Sequence, residues 1–201
     1  MQITIREPGS AITHFIGMML AIFAAIPLLV KAGLSSTSMS LGAMTVFMAS
    51  MILLYGASAA YHSVNLTGKA LRVFRKLDHM MIFVLIAGSY TPVCLIVLGG
   101  SLGYALLALV WGIALAGMII KACWITCPKW FSSAIYIAMG WVCVLVFGRL
   151  LDTLAPTAFL WLLAGGLLYT AGGVIYALKL PIFNSRHKDF GSHEVFHLFV
   201  M

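Results

Sequence analysis

Six runs of about twenty predominantly apolar residues dominate this chain, separated by short breaker-rich segments. They fall at approximately 12–30, 40–62, 79–98, 102–121, 131–149 and 157–178, and a seventh begins near 190. A helix needs roughly 20 apolar residues to cross a bilayer's hydrocarbon core, and runs of that length have few other destinations. Gly33 with Ser35 to Ser38, Gly99-Gly100, Pro128, Pro156 and Pro181 punctuate them. Within 201 residues, 63% are hydrophobic, 8% are charged and mean hydropathy is +1.08. A soluble domain carries roughly 25% charged residues, so this chain has too little polar surface to stay in water. The expected architecture is all-α and integral to a membrane, a seven-transmembrane-helix bundle forming a single polytopic domain over residues 1–201. The seventh helix, 190–201, has too few residues to span and is expected to be truncated in this chain.

The formal net charge of +7 would suggest nucleic acid in a soluble protein. Here the basic residues lie in short loops between apolar runs and no basic stripe is interleaved with aromatics. Lipid headgroups are therefore the expected partners, and nucleic acid is not. With the N-terminus in the cytoplasm, Arg6, Lys69, Arg72, Arg75, Lys76, Lys121, Lys129, Lys179, Arg186 and Lys188 fall inside. Only Lys31 and Arg149 fall outside. That asymmetry predicts a cytoplasmic N-terminus in the inner (plasma) membrane. Arg6 and Glu7 precede the first run, and no small-residue cleavage site marks a signal peptide.

Against this apolar background a few polar side chains stand out. An ionisable group inside a membrane is costly unless paired or bound. His193 and His197 are four apart, so on a helix they share a face and can grip one metal ion. His62 closes the second run, with Ser58 one turn deeper. Asp78 and His79 open the third. Under the predicted topology all of these arrive at the cytoplasmic leaflet. Zinc takes nitrogen ligands, and a catalytic site uses three of them with an open position. His62, His193 and His197 supply that set. Asp78 is the candidate general base and Ser58 the candidate for binding water or substrate. Asp78 beside Arg75 and Lys76 also fits a plain helix start. His14, His79 and His187 lack a spaced partner and are expected to pack.

Other features have local readings. His193-Glu194-Val195-Phe196-His197 matches H-E-x-x-H, in which Glu194 would be the general base of a metalloprotease. Cys123 and Cys127 have i, i+4 spacing and are expected to pack in the lipid phase. Cys94 and Cys143 are expected as small core residues, and no disulfide framework is implied. Gly165-Gly166 and Gly172-Gly173 should let helices approach closely. Pro92 should kink the third helix and can shape a cavity there.

Taken in order, Glu7, Ser58-x-x-x-His62, Asp78 in Leu77-Asp78-His79, Gly88-Ser89-Tyr90-Thr91-Pro92 and His193-x-x-x-His197 resemble the hemolysin III family. This is the bacterial branch of the progestin and adipoQ receptor (PAQR) superfamily, and the resemblance covers essentially the whole chain. It implies a seven-helix bundle with a cytoplasmic N-terminus and zinc on His62, His193 and His197. It implies Asp78 near the metal, Ser58 beside it, and a relationship to ceramidases that hydrolyse lipid amides. The expected function is a zinc-dependent hydrolase of lipid amides or esters, serving membrane lipid homeostasis, with substrate entering from the bilayer. Two alternatives accompany it: a non-enzymatic sensor of membrane state with structural zinc, and a pore-forming cytolysin.

Overall fold

A computed structural model describes residues 5–35, 37–178 and 191–201. Pro181, Lys179, Arg186, His187 and Lys188 lie outside the described residues. The described chain is all-helical: α1 (Pro8–Gly33), α2 (Ser38–Ser63), α3 (Gly68–Pro92), α4 (Gly100–Cys123), α5 (Lys129–Gly140), α6 (Phe147–Thr153), α7 (Pro156–Leu178) and α8 (Ser192–Val200). A π-helical segment, Val93–Leu98, extends α3, and a 3-10 segment, Trp141–Val146, joins α5 to α6. With those extensions, six helices are long and apolar enough to cross a membrane. The seventh, α8, is nine residues long. In hydrocarbon each backbone N–H and C=O must be satisfied within the chain, which makes helix the default.

The outer surface is inside-out compared with a soluble protein. On α1 the buried stripe is small: Ser10, Ala11, Gly17, Ala21, Ala25 and Ala32, interrupted by His14. Phe15, Ile16, Leu20, Phe23 and Ile26 face outward. Small residues facing inward let backbones approach, and dispersion at those contacts replaces a hydrophobic drive that lipid cannot supply. The same logic applies at Gly88, where Ser50 of α2 packs, and at Gly117, where the Phe83 ring of α3 packs. The tight reversal from α3 to α4 uses Gly99 at φ 58° and Gly100 at φ 53°, a left-handed region that favours glycine.

Three local features differ from the sequence reading. α3 begins at Gly68 rather than at the apolar run near 79, because charged Lys69, Arg72, Arg75 and Lys76 continue the helix beyond the apolar stretch. Asp78 therefore sits nearly three turns inside α3 rather than at its start. Cys123 ends α4, and Trp124 leaves helical geometry at φ −129°, so Cys123 and Cys127 do not share a helix face. The two glycine pairs of α7 also divide. Gly172 packs on Phe199 and Gly173 on Ile137, whereas a Cβ built at Gly165 or Gly166 would meet nothing within 4 Å; Gly165, Gly166 and Gly173 all border one cavity.

Pro92 does shape that cavity. It has no N–H to donate, and the helix beyond it widens until the Gly99 N–H bonds Cys94 O at 3.0 Å, an i to i+5 contact. Ser89, Tyr90, Pro92 and Val93 form part of the wall of an apolar cavity of about 380 Å³ between α3, α5, α7 and α8.

A Cβ built at Gly172 would lie 2.6 Å from Phe199 Cβ. Gly172→Leu should weaken the docking of α8 by about 1–3 kcal/mol, the usual cost of overpacking. Detergent unfolding of the variant would measure this, and an unchanged midpoint would contradict the packing described.

Candidate metal centre

Four helices converge at one end of the bundle. His62 closes α2, and His193 and His197 lie one turn apart on α8. Candidate ligand atoms of these three residues all lie within 4.8 Å of one another. His62 Nε2 and His193 Nε2 are 3.5 Å apart. Two nitrogens bound to one tetrahedral zinc at 2.0–2.1 Å stand about 3.3–3.4 Å apart, so the pair is spaced for a shared ion. Ring centroids are 5.0 Å apart for His62–His197 and 4.6 Å for His193–His197. His62 and His197 are buried, at 1% and 3% exposure. Such a cluster of imidazoles can hold a metal ion, and the donor set suits zinc.

The surroundings orient these rings. His62 Nδ1 is hydrogen-bonded to Glu7 Oε2, and the Glu7 N–H donates to His62 O at 3.0 Å. A carboxylate on one ring nitrogen selects the tautomer that turns the other towards a metal and raises its basicity. Arg6 steadies the same carboxylate, with Nε 3.2 Å from Glu7 Oε1, and stacks on the Tyr61 ring at 4.2 Å.

Glu194, the general base of the H-E-x-x-H reading, is committed elsewhere. Its Oε1 accepts from Ser10 Oγ at 2.6 Å and its Oε2 from the Gly191 N–H at 2.8 Å. One oxygen clamps α8 to α1, and the other satisfies a backbone donor at the start of α8. That geometry gives both carboxylate oxygens of Glu194 structural partners.

A second, polar cavity adjoins the histidines. His14, Ser58, Asp78, His193 and His197 contribute to its walls. Ser58 Oγ is fully buried, lies beside Asp78 and completes no hydrogen bond of its own. Asp78 is 7% exposed, with Oδ2 3.3 Å from His79 Nδ1. His79 Nδ1 also donates to Arg75 O at 2.9 Å, and Tyr136 donates to His79 O at 3.0 Å. Ile82, Tyr136, Phe196 and Val200 are walls common to this cavity and the large apolar one. Polar chemistry and apolar volume therefore lie side by side.

Sequence reasoning missed two parts of this site. His14, expected to pack in isolation, stacks on His197 with centroids 3.9 Å apart and planes 7° apart. Neither of its ring nitrogens has a hydrogen-bond partner. Glu7, Ser10 and His14 are spaced i, i+3, i+7, a single helix-face pattern that could have exposed the cluster. The other omission is Lys121, Cys127 and Ser132, three buried residues joined by hydrogen bonds.

The fold and this centre define an integral membrane protein of helical-bundle type with a three-histidine site able to coordinate a metal. Comparison with known proteins makes the class specific. The family model described as "Haemolysin-III related" matches residues 2–201, and the chain belongs to that family. It is 39% identical over 196 residues to "Hemolysin-3" of Bacillus cereus, covering 98% of this chain and 85% of that protein. It is 35% identical over 199 residues to "Hemolysin-3 homolog" of Bacillus subtilis (strain 168), covering 98% and 89%. A more distant relative is "Progestin and adipoQ receptor-like protein 1" of Caenorhabditis elegans, 28% identical over 218 residues, covering 97% of this chain and 48% of that protein. Its spans and bacterial relatives make it a multi-pass protein of the bacterial inner membrane.

Glu7→Gln should keep the fold but lower zinc affinity 10–100-fold, the usual effect of losing an outer-shell carboxylate. Competition with a chromophoric chelator would measure it, and wild-type affinity in the variant would refute the role assigned to Glu7.

Proposed function

We propose that this protein is a zinc-dependent hydrolase of lipid amides or esters, with its N-terminus and its site at the cytoplasmic leaflet. The observation that carries the reading is the shared wall between a polar cavity bearing Asp78, Ser58 and two of the histidines and an apolar cavity of about 380 Å³. That volume lies within the usual range for small-molecule sites, and its lining suits an acyl chain. His62, His193 and His197 would hold the zinc. When bound, zinc supplies Lewis acidity, polarising a substrate carbonyl and easing deprotonation of water near neutral pH.

The chain's own residues would do the rest. An acyl chain entering from the bilayer would lie along Phe47, Leu85, Trp141 and Leu162, leaving its carbonyl near Ile82 and Phe196. Asp78 would accept the proton of the attacking water at a carboxylate oxygen and pass it to the departing nitrogen or oxygen. His79 fixes Asp78 through Oδ2 and is itself fixed by Arg75 O and Tyr136. Ser58, with an uncommitted buried hydroxyl, would hold the water or the carbonyl oxygen. The ten-to-two distribution of basic residues supports the cytoplasmic placement.

Elemental analysis of the purified protein should find about one zinc per chain, lost in a His193→Ala, His197→Ala double variant. Absence of metal from folded wild-type protein would remove the mechanism. Asp78→Ala should retain zinc but lower turnover of a lipid amide or ester by at least 100-fold, the scale of losing a general base. Undiminished turnover in that variant would refute the role of Asp78.

A further inference from the structure

A buried ammonium group lies on the wall of the polar cavity, where the proposed chemistry makes no use of it. Lys121 is 3% exposed near the end of α4. Its Nζ donates to Cys127 Sγ at 3.2 Å and to Ser132 Oγ at 2.5 Å. Among the described residues no carboxylate pairs with it. A thiol is a weak acceptor and a hydroxyl a neutral one, so neither balances a positive charge. Interfacial lysines of membrane proteins usually extend their amines to the headgroup region. This one turns inward and is shut in.

Lys121 is not the cavity's sole cation. Arg75 from α3 and Lys129 from the start of α5 line it too, and Asp78 is the one carboxylate among the described lining residues. Lys129 also covers the Tyr176 ring at 4.3 Å, and Tyr176 is another wall of the cavity. Lys76, next to Arg75, hydrogen-bonds to Ala122 O and so ties α3 to the end of α4 that bears Lys121. Three cations from three segments therefore face one space that also holds the histidines. A buried charge costs several kcal/mol unless compensated, and an anion bound in the cavity would compensate Lys121, which has no carboxylate partner among the described residues.

From this arrangement we infer that the polar cavity has an anion subsite, formed by Lys121, Arg75, Lys129 and the Ser132 hydroxyl, that takes a phosphate group. Arginine and lysine together are the usual phosphate binders. In a membrane protein the phosphate source that reaches this depth is an anionic phospholipid of the cytoplasmic leaflet. The inference rests on the lipid-hydrolase reading and sharpens it. The substrate is a phosphate-bearing lipid, with phosphate at Lys121, an amide or ester carbonyl near the histidines, and the acyl chain in the apolar cavity.

The full chain is reconstituted in nanodiscs of phosphatidylcholine with a minor fraction of phosphatidylglycerol. Retained lipid is counted by native mass spectrometry, and zinc is measured on the same samples. Wild type should retain about one phosphatidylglycerol per chain. Lys121→Met should weaken retention at least ten-fold, and Lys129→Gln, at an exposed position that does not threaten folding, at least three-fold. Zinc content should be unchanged in both. A parallel titration with inorganic phosphate identifies the source. Saturable, Lys121-dependent phosphate binding without selective phosphatidylglycerol retention would support the phosphate subsite but overturn its assignment to a lipid headgroup. Unchanged retention and phosphate binding in Lys129→Gln and in folded Lys121→Met would overturn the subsite. Loss of zinc from wild type with retention intact would instead count against the hydrolase reading alone.

Discussion

The polar end of this protein depends on how α8, which carries His193 and His197, is held in an apolar bundle. Most helical stability in proteins comes from tertiary packing, and neighbours hold α8 at both ends. Ser10 of α1 bonds Glu194, the Tyr55 hydroxyl of α2 bonds Val200 O at 3.1 Å, and the Tyr169 hydroxyl of α7 bonds the same carbonyl at 3.2 Å. Phe199 rests on Gly172. These contacts come from both ends of α8 and from three surrounding helices. They set His193 and His197 against His62, and without them the metal centre would lack two of its three donors.

The same clamps explain how polar groups survive in the interior. Glu7, Glu194 and Asp78 each have specific partners, which offsets the cost of drawing these carboxylates inward. The unsatisfied atoms form a pattern of their own. Apart from Arg6 Nε and Nη2, those among the described residues, namely Ser58 Oγ, both nitrogens of His14 and the Nδ1 atoms of His193 and His197, gather around the polar cavity and the histidine cluster. Buried polar groups without partners are rare in native proteins and concentrate where ligands or chemistry belong. Together with the apolar cavity beside them, they give the site a polar pole and a lipid-like pole.

Much of this was legible in the chain. Six spans follow from run length alone, since hydrocarbon thickness sets the length of an apolar helix. The i, i+4 spacing of His193 and His197, and a histidine closing the second span, were enough to nominate a metal cluster. Other features were hidden. Gly165-Gly166 and Gly172-Gly173 look alike in sequence, yet a side chain at the first pair would meet open space and one at the second would meet aromatic and aliphatic side chains. The spacing of Cys123 and Cys127 suggested a common face until the end of α4 separated them. Lys121 looked like one of ten cytoplasmic basic residues, and nothing local to it signals burial.

By itself, then, the sequence determined the helical class, the number of long apolar segments and the residues competent to bind metal. These depend on local composition and periodicity, which a lipid solvent reads one segment at a time. Tertiary structure alone decided that Glu7 orients His62, that Glu194 caps and clamps α8, and that Lys121 faces a cavity. Each of those is a contact between residues distant in the chain. Helix periodicity specifies which side chains share a face, but the partner of that face is settled only when the helices pack.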